Sequence, residues 1–260
     1  MNERLALLCL AAAMLSVSIN SNAAPPTCAA ASGAFVPTVA ELYTSEGCDS
    51  CPPADRWFSS LKDEAAKGKV IPLAFHVDYW DYLGWKDRFA DPLFSARHRD
   101  AASQGGAKVV YTPQVLVDGR EFQQWRRTGA ERIATTVGQK PPRAELRVTA
   151  APAGSQLQVS VTGKNTTGGR GAEAYVALFE SGLSSDVRAG ENKGVMLHHD
   201  FVVRRWLGPF AFDGANLKVS QQIEVPAESS LARSGIAVIA TDERGGILQA
   251  LALPLRECGG

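Results

Sequence analysis

Cys48 and Cys51 have two residues between them in the stretch Glu46-Gly47-Cys48-Asp49-Ser50-Cys51-Pro52-Pro53. Two thiols at this spacing can pass electrons by thiol–disulfide exchange, lock as a static disulfide, or supply half of a zinc site. The zinc reading lacks support, because no second C-x-x-C and no paired histidines at ligand spacing follow. What separates the other two is the backbone that holds the sulfurs. Val39 to Tyr43 is short, bulky and bounded by turn formers, which predicts a strand. Thr44 to Gly47 reads as a loop. Pro52 and Pro53 then fit the first turn of a helix, whose N–H groups have no partner in any case. Trp57, Phe58 and Leu61 continue at helical spacing. The two thiols therefore fall where a strand hands over to a helix N-terminus. The unpaired N–H groups and the positive end of the helix dipole there favour a thiolate. In such a pair Cys48 is expected as the nucleophile and Cys51 as the resolving thiol. Asp49 and Glu46 oppose part of that stabilisation.

Three further cysteines frame the pair. Cys9 lies in an apolar run, Leu5 to Ile19, that follows Arg4 and precedes the small residues Ser21-Asn22-Ala23. That is the pattern of a signal peptide over 1–24, and the run is too short for a membrane span. A leader is expected over 25–35. If Cys48 pairs with Cys51, the other pair is Cys28 with Cys258, near the two ends of the mature chain. An oxidising compartment would let such a bond persist, and the competing reading is two free thiols. The formal charge is balanced, 27 Lys and Arg against 27 Asp and Glu, which argues against nucleic acid as a partner.

Along the chain, Lys62 to Lys69 is polar and ends near Gly68. Val70 to Val77 is a run of strand length. The block His76 to Asp87 is dense in aromatics and carboxylates and has neither period. Its His76, Asp78 and Trp80, with Glu46, are candidates to line a groove beside Cys48 or tune its thiolate; the competing reading is core capping. Asp91-Pro92 opens a helix whose buried side is expected to include Leu93, Phe94, Ala96, Ala101 and Ala102. Pro113 marks an edge or strand start in Val109 to Val117, and Asp118-Gly119 makes a tight hairpin turn into Glu121-Phe122. Arg132 to Val137 closes the series, β-α-β-α-β-β-α. Beyond Pro141-Pro142 alternation takes over, with Leu197, His199, Phe201 and Val203 among the inward positions. This predicts a compact sandwich-like β domain over 143–256 with no catalytic motif. His198 and His199 point to opposite faces of their strand and cannot easily share a metal.

The element order, the C-x-x-C after the first strand, and Thr112-Pro113 before a hairpin resemble the thioredoxin fold. More closely, Glu41 to Asp55, His76-Val77-Asp78-Tyr79-Trp80-Asp81, Leu83-Gly84-Trp85-Lys86-Asp87 and Tyr111-Thr112-Pro113-Gln114 resemble a secreted bacterial thioredoxin-like family catalogued as domain of unknown function 1223. The resemblance implies a thioredoxin-like α/β domain over 36–140, followed by the all-β domain. It also implies that Thr112 and a cis Pro113 dock substrate beside Cys48. Departures from thioredoxin itself are Asp49-Ser50 in place of Gly-Pro, Gly47 where a tryptophan commonly stands, and Leu42 where a buried aspartate is usual. Glu41 is one place away and should face the other side.

The expected function is exported, periplasmic or secreted, thiol–disulfide oxidoreduction without a cofactor or bound metal. A thiol or disulfide protein or small molecule would be its substrate, and no membrane association would remain after signal cleavage. The alternatives are a binding or scaffold protein with a structural disulfide, or a Cu(I) carrier using Cys48, Cys51 and His76.

Overall fold

The computed structural model describes residues 27–106, 109–136 and 140–258; the expected signal peptide lies outside them. The chain runs β1 (Cys28–Ala31), β2 (Thr38–Thr44), α1 (Pro52–Ser59), α2 (Lys62–Ala66), β3 (Val70–His76), α3 (Pro92–Gln104), β4 (Gln114–Val117), β5 (Arg120–Glu121) and α4 (Ala130–Thr136). It continues through β6 (Ala144–Ala153), β7 (Gln156–Asn165), β8 (Glu173–Glu180), β9 (Leu183–Asp186), β10 (Met196–His199), β11 (Val202–Ala211), β12 (Asn216–Glu224), β13 (Ser234–Thr241) and β14 (Ile247–Pro254).

Local signals act as expected at several ends. Pro52 and Pro53 fill the first turn of α1. Asp91 caps α3 by accepting the Leu93 N–H, with Pro92 behind it. Asp118 and Gly119 both take positive φ in the turn from β4 to β5, as a two-residue hairpin turn requires. Leu93, by contrast, is exposed, while Phe94 and Ala102 are buried. Part of the expected leader, Cys28–Ala31, is instead β1, paired antiparallel with β6.

The expected pair of folds, a thioredoxin-like α/β domain and a separate β domain, is not what the chain forms. Eight strands from both halves make one mixed sheet in the order β14-β13-β8-β11-β3-β2-β4-β5. The seam is β11 against β3, where Val202 pairs with Ala74 in parallel and the Ala74 N–H donates to Phe201 O at 2.8 Å. On its other side β11 runs antiparallel to β8. A second sheet, β1-β6-β7-β12, covers the far end, and β9 with β10 makes a separate two-stranded arm.

The cores follow from alternation. Val39 and Tyr43 of β2 pack with Ile71, Leu73 and Phe75 of β3 and also with Ala177, Val203, Ala237 and Ile239 from β8, β11 and β13. That core therefore crosses the seam. Pulling the halves apart would expose several such side chains at about 1.5–3 kcal/mol for each large one. The intervening residues Ala40 and Leu42 face Ala54, Phe58, Leu61 and Ile133 under the helices. Inward residues of β6, β7 and β12 pack on β8, β13 and β14. A disulfide from Cys28 to Cys258 ties β1 to the chain end beyond β14.

Candidate functional site

Cys48 and Cys51 are joined as a disulfide. The loop that carries them tightens by its own backbone: the Cys48 N–H donates to Ser45 O and the Cys51 N–H to Cys48 O, each at 3.2 Å. Cys51 is the N-cap of α1, and its carbonyl accepts from the Ala54 and Asp55 N–H groups. Between the sulfurs, Asp49 and Ser50 are exposed, and the Ser50 hydroxyl lies 3.4 Å from Cys48 Sγ. Both cysteines are themselves 0 % exposed. The bond lies just beneath the surface and is sealed from it.

Parallel pairing sets Thr44 beside His76 at the ends of β2 and β3, so the loop that follows Thr44 runs next to the imidazole. His76 Nδ1 lies 2.7 Å from Asp87 Oδ2, and both side chains are fully buried. Asp87 also accepts the Glu46 and Phe89 N–H groups, each at 2.9 Å. Glu46 accepts from the Trp85 indole at 2.7 Å, and its other oxygen lies 3.3 Å from His199 Nε2 on β10. His76 and His199 meet edge to face with ring centres 4.8 Å apart. His76 Nε2 and His199 Nδ1 have no hydrogen-bond partner among the described residues. Asp55, buried one helical turn after Cys51, belongs to the same electrostatic cluster.

The directions of titration sort these groups. Burial holds the Asp55 carboxyl above its usual range, with the charges of His199 and His76 only partly opposing it. Burial also works against the charged forms of His76 and Asp87, but each stabilises the other's charge, so His76 is raised and Asp87 lowered. For Glu46, burial is outweighed chiefly by His199, and the carboxyl is lowered. The result is a buried His76–Asp87 pair, the lowered Glu46 carboxyl and the raised Asp55 carboxyl, all in one electrostatic cluster next to the disulfide.

The remaining candidates are placed as follows. Trp80 packs on Gly47: a side chain at Gly47 would put its Cβ 2.9 Å from that of Trp80. The Trp80 indole donates to Thr112 Oγ1 at 2.8 Å, so Thr112 and Pro113, joined by a cis bond, are tied to the cysteine loop through one side chain. Asp78 is bonded instead to Ser95 of α3, by its backbone and its carboxylate. Glu41 faces away from the disulfide, as its parity requires, and pairs with Arg97 and the Tyr43 hydroxyl. Three contributors come from beyond residue 180: His199, which alternation along the sequence places on an inward face and which was weighed there only as a metal ligand, and Glu191 and Asn192, which were not singled out. The Asn192 amide donates to both Glu46 O and Cys48 O at 2.9 Å, and Glu191 accepts the Asp49 N–H at 3.2 Å. For His199 a signal existed, since it is the polar residue among the inward positions Leu197, Phe201 and Val203. Asn192 and Glu191 sit in a turn with no such pattern.

No curated protein matches the chain. It is similar to the crystal structure of protein AGR_C_4864 from Agrobacterium tumefaciens, at 27% identity and a TM-score of 0.57, over 84% of this chain and 94% of that one. It is also similar to HBP35 of Porphyromonas gingivalis, at a TM-score of 0.63, over 86% of this chain and 76% of that one. At 14% identity that second likeness concerns the fold alone. The family described as protein of unknown function DUF1223 matches residues 39–241. The chain belongs to the DUF1223 family.

Proposed function

We propose that this protein is an exported thiol–disulfide oxidoreductase working at Cys48 and Cys51. The observation that carries the reading is the group of ionisable side chains kept with the disulfide: Glu46, Asp55, His76, Asp87 and His199, all buried. Burying such groups costs folding free energy, and a static cross-link gains nothing from it; perturbed titratable clusters concentrate where proton and electron transfers occur. A thiolate of a partner dithiol attacks Cys48 Sγ, the Cys48–Cys51 bond breaks, and Cys51 leaves as a thiolate at the start of α1. The partner's second thiol loses its proton and attacks the partner sulfur of the mixed disulfide, which releases Cys48. Two electrons pass to the cysteine pair, two protons follow, and the partner leaves oxidised. The reverse sequence reduces a partner disulfide. Thr112 and Pro113, linked to Gly47 through Trp80, flank the incoming partner. Two disulfides fit an oxidising compartment, and no helix among the described residues is long and apolar enough to cross a membrane.

A second reading, a binding or scaffold protein with a structural disulfide, draws support from the zero exposure of Cys48. Trapping separates the two. Cys51→Ser should accumulate mixed disulfides with partner thiols while Cys48→Ser should not. Equal trapping by both variants would overturn the roles, and none by either would favour the scaffold.

A further inference from the structure

The turn 187–195, which joins β9 to β10, is hydrogen-bonded to the loop that carries the buried disulfide. The turn is braced by its own backbone: Val187 and Val195 bond through the Val187 N–H, and the Gly194 N–H donates to Val187 O at 2.7 Å. Among the described residues its strands pair with each other and with no third strand. A lone two-stranded hairpin is at most marginally stable, so its position is set by what it touches. At the tip that means Asn192 on the Glu46 and Cys48 carbonyls and Glu191 on the Asp49 N–H. At the base it means Arg88, which donates to Ser184 O and Ser185 Oγ. Asn192 is itself buried, while Lys193, Gly194, Val195 and Met196 around it are exposed. The stem is anchored by the buried Leu183, Val187, Leu197 and His199, whereas residues 191 and 192 at the tip are held by hydrogen bonds, and a segment so held opens locally at a free energy below that of global unfolding.

We infer that the 190–195 tip of this turn is a gate on the Cys48–Cys51 disulfide, latched by Asn192 and opened when a thiol partner engages the loop. The inference rests on the oxidoreductase reading for its purpose but not for its geometry. A latch on carbonyls of Glu46 and Cys48 lets access be controlled without moving β2 or α1, which hold the sulfurs in place.

The test compares wild type, Asn192→Ala and Glu191→Gln for the rate at which dithiothreitol reduces Cys48–Cys51, read by alkylation and mass, with Cys28–Cys258 as the internal reference. Asn192→Ala should speed reduction by about tenfold or more, as expected for losing two net hydrogen bonds, with the reference bond unchanged. Glu191→Gln, an exposed position, should give a smaller gain and serves if Asn192→Ala fails to fold. In wild type the rate should rise little with sub-denaturing urea, because little surface opens. Equal rates in all three proteins, or a steep urea dependence in wild type, would overturn the gate. Should the variants open while no form traps a partner, the gate stands and the oxidoreductase reading fails; equal rates with trapping give the converse.

Discussion

Asp55 shows what the cluster behind the disulfide costs. Its carboxyl is held above the usual range first by burial, so the folded state binds a proton more readily than the unfolded chain. Such a group adds no penalty below the ordinary value of 3.8 and a growing one as pH rises through its folded value. Asp55→Asn removes that penalty. It should therefore raise the urea midpoint at pH 7, with the gain shrinking to nothing as pH falls below about 3.8. A destabilised Asp55→Asn protein at pH 7 would mean that the charged carboxylate is satisfied where it lies. At this scale the sequence was informative where chemistry is local. The C-x-x-C spacing and the paired prolines placed the sulfurs, and the parity of β2 placed Glu41. Asn192 joins the site only through folding, and for Asp87 and His199 the sequence marked a carboxylate-rich block and an inward polar position without showing that the two meet.

At the scale of elements, α1, α3 and the β4–β5 hairpin were legible because caps, prolines and turn residues are local instructions. Strand partners are not. Alternation tells which face of β11 is buried but cannot say that β11 inserts between β8 and β3, the latter more than a hundred residues away. The corner before it is instructive: Phe201 holds a positive φ of 59° and its ring is buried against Phe58 and Phe179. Phe201→Ala removes a ring that touches both halves and should cost about 3–5 kcal/mol. The loss should appear in urea unfolding as one shifted transition followed identically by near- and far-ultraviolet signals. Two separated transitions would contradict the shared sheet.

For the whole molecule, the two-domain expectation failed for a physical reason. The chain does shift near residue 141, from α-helix-bearing to strand-rich, but a sheet edge left by β3 is an open set of donors and acceptors that β11 completes. The junction so formed is also where the disulfide sits, with β2, β3 and α1 holding one side of the site and the β9–β10 arm closing the other. Burial of this kind suits a static staple as well as a guarded exchanging pair, and the potential separates the two. The most direct measurement is the reduction potential of Cys48–Cys51 in the full-length protein, equilibrated against glutathione and dithiothreitol series with Cys28–Cys258 followed separately. An exchanging pair should lie above about −300 mV, with the terminal disulfide below it. A Cys48–Cys51 potential below about −300 mV would mark it as a structural bond and contradict the account.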